Sequence, residues 1–246
     1  MNTSIVIPAL ISKQPIFAMT KKLLDDIFYK TRGIAGAEVI LVDDGSNVKY
    51  IDFLQKFNKD LIIVRNPKNV GFAMSVNAGI RKSSGDKILI LNNDVIIKDG
   101  GWLNNMIRGM DTLGYDIAAP KQSILDETYE YIPDAKRKNY VEEKCFSYLV
   151  GWCLLVKRKV FKEAGMFPTN FGIGFWEDTA WSYVIRNNFS HFKSGVISGI
   201  NNEQLQHLEH QTFKAENISV NQQYSKNREI FLQYIKGRVQ LDLPLL

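Results

Sequence analysis

The sequence has no apolar run near the ~20 residues that a membrane-spanning helix needs. Its first ten residues, MNTSIVIPAL, carry neither a basic leader nor a small-residue cleavage site. These absences lead us to expect a cytoplasmic chain, at most peripheral at a membrane. Cysteine is scarce: Cys145 and Cys153 are the only two. Two thiols make no disulfide framework, and their spacing fits no common zinc pattern, so they read as buried free thiols in a reducing compartment. No G-x-G-x-x-G is present, which disfavours a nicotinamide dehydrogenase. The segment after the first strand signal, ALISKQPIF, is not the glycine-rich basic phosphate loop of a nucleotidyltransferase. No basic block with interleaved aromatics argues for nucleic acid; Lys136-Arg137-Lys138 is short and reads as a solvated loop.

What is present is an ordinary composition for one α/β domain, or for one large domain with a small appendage. The chain has 246 residues, 45% hydrophobic and 23% charged, with a net charge of +5. Continuous apolar runs at residues 4–10 (SIVIPAL), 38–42 (EVILV), 61–64 (LIIV) and 87–91 (KILIL) alternate with segments of helical spacing. Those segments carry Phe17, Leu23, Leu24, Ile27 and Phe28; Ile51, Phe53, Leu54 and Phe57; and Phe72, Val76 and Ile80. Strand–helix alternation with strands apolar on both faces predicts a mostly parallel sheet covered by helices on both sides. Ligands of such sheets sit outside the carboxyl ends of the strands. The polar clusters Pro8-Ala9, Asp43-Asp44, Arg65-Asn66 and Asn92-Asn93-Asp94 all fall at those ends.

Further along, residues 102–113 read as a helix, and residues 122–144 are polar, mixed in charge and without period. Residues 148–157 (YLVGWCLLVK) give a strand signal, followed by a short helix at 158–164 ended by Gly165. The stretch FGIGF at 171–175 reads as a turn or mobile loop. Helical stripes follow at Trp176, Ala180, Trp181, Val184 and Ile185, and at Tyr224, Phe231 and Ile235.

Each chemical motif has an ordinary structural explanation beside the functional one. LVDDGS ends a strand in a common Asp-Gly turn, yet a carboxylate there could accept from a base N–H or a ribose hydroxyl. In NPKNVGFAMSVNAGI, Gly71 opens a helix whose free N–H groups could hold phosphate. Asp94, in LNND, is a hard oxygen donor of the kind that Mg²⁺ or Mn²⁺ takes alongside substrate phosphates. Glu177 and Asp178, in FWEDTAW, suit the first turn of a helix; the aromatic, glycine-rich approach to them suits a wall around a sugar. His207 and His210, in LQHLEHQTF, are spaced so that one imidazole could serve a metal.

Taken in order, VIP, VDDGS, N-x-G-F with a later N-x-G, LNND, a G-W strand approach followed by a basic residue and V-F, G-x-F, ED and H-x4-T resemble the family 2 inverting glycosyltransferases of the GT-A fold, rhamnosyltransferase-like members among them. The resemblance runs from about Ile5 to Phe213. It implies that Pro8 and Ala9 lie near the nucleotide, that Asp44 contacts the base with Asp43 nearby, and that Asn69, Gly71, Asn77, Asn92 and Asn93 line the nucleotide-sugar side. It implies a divalent metal, Mn²⁺ or Mg²⁺, on Asp94 with His207 or His210. It makes Asp178 the general base with Glu177 in support, and puts Trp152, Phe175 and Trp176 on the acceptor side. Asn92 stands where the family's D-x-D motif begins with Asp, which removes one negative charge beside the diphosphate.

The reaction so implied moves a sugar from a UDP- or dTDP-linked donor to a hydroxyl of a glycan or glycolipid, with inversion. The alternative is an inactive GT-A-like glycan-binding or scaffold protein. The expected organisation is a GT-A domain over residues 1–215, with a nucleotide-sugar half at 1–119 and an acceptor half at 120–215. A C-terminal helical extension at 216–246 is expected to offer a peripheral membrane contact or a homodimer surface.

Overall fold

A computed structural model of the chain describes residues 3–31, 36–121 and 149–246. Cys145 and the polar stretch at 122–144 lie outside the described residues.

The predicted alternation of four strands with three helices is present. They run β1 (Thr3–Ala9), α1 (Gln14–Asp25), β2 (Glu38–Asp44), α2 (Val48–Phe57), β3 (Leu61–Asn66), α3 (Phe72–Lys82) and β4 (Lys87–Leu91). The helix signal that began at Phe17 starts earlier, with Pro15 in the first turn where a missing N–H costs nothing. It ends in a wider π turn over Asp26–Lys30. Then come β5 (Val95–Ile97), α4 (Trp102–Leu113), β6 (Ile117–Pro120), β7 (Cys153–Lys157), α5 (Arg158–Ala164), α6 (Glu177–Asn188), β8 (Ser194–Ile197), β9 (Leu205–His207), α7 (Gln211–Glu216) and α8 (Val220–Ile235).

Seven strands form one sheet in the order β3-β2-β1-β4-β7-β6-β8. All its pairings are parallel except the two made by β7, which runs antiparallel between β4 and β6. Tyr148, where the strand signal began, lies outside the described residues; of the rest, 153–157 form the strand, while Gly151 and Trp152 form a turn. Cys153 is fully buried, and burial raises its thiol pKa, in keeping with an inert core thiol. The strands β5 and β9 make a separate antiparallel ribbon with Val95 opposite His207. That pairing brings two motifs more than a hundred residues apart into one place.

Alternate residues of the central strands feed two cores. Ile5, Ile7, Leu41, Leu89 and Leu91 pack under α1, α2 and α4. Val6, Ile40, Val42, Ile88 and Ile90 pack under α3, α5 and α6. With both faces covered, the open positions for a ligand are the strand ends, and the parallel register brings the ends of β1, β2 and β3 level: Ala9 faces Asp43, and Asp43 faces Arg65. A third, aromatic core joins Phe171, Trp176 and Ala180 to Phe231 of α8.

Candidate active site

Pro8 and Ala9 close β1 and are both buried. Asp43 is fully buried. Its Oδ1 accepts from the backbone N–H of Ser46 at 2.7 Å, and its Oδ2 pairs with Arg65 Nε at 2.8 Å. The turn is thus tied to the end of β3, and the half-exposed Arg65 of the Arg65-Asn66 cluster stands at the ligand edge, paired with Asp43. Asp44 is tied to the neighbouring loop. Its two oxygens accept from Val70 N at 2.8 Å, Asn66 Nδ2 at 3.2 Å and Gly71 N at 3.1 Å, so the carboxylate organises its neighbouring loop. Asn69 adds a local bond to Gly71 N from an exposed position.

Gly71 has φ +91, and a Cβ there would lie 2.0 Å from the carbonyl oxygen of Gly172. Only glycine permits both the left-handed backbone and this approach. The contact has a consequence for the phosphate reading of α3. The first-turn N–H of Phe72 points at Ile173 O, at 3.4 Å, so the FGIGF loop covers that helix end. Asn77 lies within α3. It is buried, its Nδ2 donates to Phe167 O at 2.8 Å, and its Oδ1 accepts from Phe167 N at 3.0 Å. It clamps a distant backbone segment to α3.

The Asn-Asn-Asp tip divides its roles. Asn93 turns inward and donates to Thr20 Oγ1 of α1 at 2.9 Å. Asn92 Nδ2 and Asp94 Oδ1 both face His207 Nε2, at 3.4 and 3.0 Å. Asn92 Oδ1 and Asp94 Oδ1 are buried, and neither receives a well-formed hydrogen bond among the described residues. Buried oxygens rarely go without a donor; an oxygen–oxygen–imidazole set with spare lone pairs suits a divalent cation that keeps further ligands from diphosphate or water. The set has only two classical ligands, and among the described residues no group of three or more His, Cys, Asp and Glu stands together.

His207 is held flat against Trp152, with ring centroids 4.9 Å apart and planes 8° off parallel. Trp152 therefore forms the back wall of the Asp94–His207 cluster, where an acceptor-side position was expected. His210 caps α7 with φ +58 and packs edge-on against Phe175 at 5.3 Å. Burial there lowers its pKa and favours the neutral ring. Of the two histidines it is His207 that meets Asp94.

Phe175 and Trp176 both have positive φ, 73° and 79°, and lead straight into α6. Trp176 is its N-cap residue, and Glu177 and Asp178 form its first turn. Asp178 is half-buried. Its Oδ2 accepts from Gly151 N at 2.8 Å, and its Oδ1 from Thr179 N at 2.7 Å and Thr179 Oγ1 at 3.3 Å. Gly151 leaves room for this: a Cβ there would lie 3.2 Å from Asp178 Cβ. Glu177 is buried, with no partner for Oε2 among the described residues.

Burial, and then the charge of Asp178, push the Glu177 carboxyl up to about 8; burial also raises Asp178. Three donors favour the anion on Asp178, while the orphan oxygen of Glu177 favours a proton, so near neutral pH the pair carries its charge on Asp178. Because the folded-state pKa of Glu177 lies above its ordinary 4.5, the folded protein holds a proton that the unfolded chain releases. Stability then declines as pH rises from about 4.5 to about 8. Glu177→Gln, which mimics the protonated form, is expected to flatten this decline. Melting temperatures of the two proteins should match near the acid end and favour the variant above about 8; parallel curves would place the proton elsewhere.

Among curated proteins no sequence matches the chain. Among solved structures, TarS 1–349 of S. aureus superposes with a TM-score of 0.61 at 16% identity, covering 97% of this chain and 71% of that one. The mannosyltransferase PcManGT from Pyrobaculum calidifontis, in complex with GDP-Man and Mn²⁺, gives 0.64 at 16% identity, covering 98% and 65%. GalNAc-T7 with UDP, GalNAc and Mn²⁺ gives 0.61 at 17% identity, covering 80% of this chain but 42% of that one. These likenesses support the GT-A fold. The family model described as Glycosyl transferase family 2 matches residues 4–165, well over half of the sequence. The chain belongs to glycosyl transferase family 2 and is built on the GT-A fold.

Proposed function

We propose that this protein transfers a sugar from a nucleoside-diphosphate sugar to a hydroxyl of a glycan or glycolipid with inversion, and that Asp178 is the general base. The observation that carries the reading is the Asp178 carboxylate itself, fixed by Gly151 and Thr179 at the start of α6. A carboxylate has about four acceptor positions. The described bonds use three, leaving a lone pair for the proton of an incoming hydroxyl. The protonated Glu177 beside it limits the site to one negative charge, which keeps Asp178 ionised without further repulsion.

Asp178 takes the acceptor proton as the hydroxyl oxygen forms its bond to the anomeric carbon, while the bond to the diphosphate breaks on the opposite side. One displacement of this kind inverts the configuration. Asp94 and His207, with the amide oxygen of Asn92, would hold a divalent cation; bound there, it would neutralise charge gathering on the departing diphosphate. Arg65, paired with Asp43 through Nε, presents the rest of its guanidinium at the same edge. Similar folds have been crystallised with UDP, UDP-GlcNAc and GDP-Man, which supports a nucleotide-sugar donor. Among the described residues no helix is long and apolar enough to cross a membrane. The test is the anomeric configuration of the glycoside produced, which should be opposite to that of the donor.

A further inference from the structure

The C-terminal helix α8 carries a fully buried asparagine, Asn227. Its Nδ2 donates to the backbone carbonyls of Phe171 at 2.6 Å, Gly174 at 2.7 Å and Phe175 at 3.0 Å. We propose that Asn227 is the positioning residue that holds the FGIGF loop, and through it Asp178, in working geometry. The inference rests on the reading of Asp178 as the base.

The loop needs such a hold. Gly172, Gly174, Phe175 and Trp176 all have positive φ. Two of these are bulky aromatic residues, for which the left-handed region costs roughly 1–2 kcal/mol each. Strain of this kind persists only where the surroundings over-determine it. Three carbonyls of the loop face α8, and a buried carbonyl without a donor costs about 1–3 kcal/mol. One side-chain NH₂ reaches all three, its two hydrogens shared among them. Its own Oδ1 has no partner among the described residues. An apolar residue would fill this space without that cost, so the amide is kept for the loop.

The neighbours of Asn227 on the same face of α8 do related work. One turn earlier, Gln223 Nε2 lies 3.4 Å from Phe171 O. One turn later, Phe231 packs on Trp176, with ring centroids 5.4 Å apart. Beyond the helix, the chain end pins the preceding stretch: Met166 N donates to Pro244 O, and Thr169 N to Asp242 O. Residues 166–176 are thus held by α8 and the tail, and the next two residues are Glu177 and Asp178. A shift at Phe175 or Trp176 moves the first turn of α6 relative to Gly151, whose N–H donates to Asp178 Oδ2 at 2.8 Å.

The test is Asn227→Ala in the full chain, followed by hydrogen–deuterium exchange and steady-state turnover of nucleotide sugars. Exchange should quicken over residues 171–179 and stay unchanged over 87–97 and 205–210. Turnover should fall roughly 10–10²-fold, as expected for a misplaced catalytic group, while KM for the donor stays within about threefold, because ground-state binding is untouched. If the alanine variant does not fold, Asn227→Ser, which keeps one donor, carries the same expectations at smaller size. Unchanged exchange over 171–179, or turnover within about threefold of the parent protein, overturns the inference. The exchange measurement is independent of the role of Asp178. Faster loop exchange with full turnover in Asp178→Asn would count against the base and not against the hold on the loop.

Discussion

Asp178→Asn is expected to lower turnover by about 10²–10⁴-fold, the usual worth of a positioned base, while donor affinity changes little. The substitution keeps the shape of the side chain and removes its basicity. It also has a structural cost that geometry makes explicit. Asp178 accepts backbone N–H bonds on both oxygens, from Gly151 and from Thr179. Asparagine has one acceptor oxygen, so one N–H loses its partner, at about 1–3 kcal/mol. The rate effect therefore far exceeds anything attributable to lost stability. Turnover and nucleotide-sugar affinity of the folded variant, measured side by side, check this. Activity within a few-fold of the parent protein would mean that Asp178 only starts a helix.

Asp94→Ala is expected to abolish the Mn²⁺-dependent part of nucleoside-diphosphate binding. Loss of an outer partner of a metal ligand typically costs ~10–100-fold in metal affinity, and loss of the ligand itself should cost at least that. The fold should survive, because the backbone oxygen of Asp94 still accepts from Leu208 N at 3.0 Å. His207→Ala should act in the same direction, since His207 Nε2 is 3.0 Å from Asp94. His210→Ala should leave Mn²⁺ dependence nearly intact and disturb only the packing with Phe175 and Phe213. Calorimetry of UDP and GDP with and without Mn²⁺ separates these outcomes. Full Mn²⁺ dependence in Asp94→Ala would remove the cation from this cluster.

The parts of the fold that follow local rules were legible in the sequence. Apolar runs gave β1 to β4, helical spacing gave α1 to α4, and Gly165 marked the end of α5 where it stops. The antiparallel insertion of β7 was not legible, because strand direction is fixed by long-range pairing with Leu91 and Ala118 and leaves no local mark. Site residues divide in the same way. The Asp94 and His207 motifs could be recognised separately, but their meeting depends on the β5–β9 ribbon. The family resemblance put Asn77 and Asp44 on the nucleotide-sugar side, and the structure adds backbone bonds that no local signal announces. Their partners, Phe167 and the backbone at Val70 and Gly71, show that buried polar groups are as readily used to fix backbone. Asn227 escaped notice for a related reason. At helical spacing with Gln223 and Phe231 it lies on the inner face of α8, but two amides in a row of three look like a solvated stripe.

The proposed reaction is a single displacement at the anomeric carbon with Asp178 as the proton acceptor. The most direct measurement is the anomeric configuration of the glycoside formed from a nucleotide sugar and a hydroxyl acceptor, read by NMR coupling constants before any later reaction. The account predicts a product of configuration opposite to the donor, formed by the parent protein and lost in Asp178→Asn. A product that retains the donor configuration would contradict it.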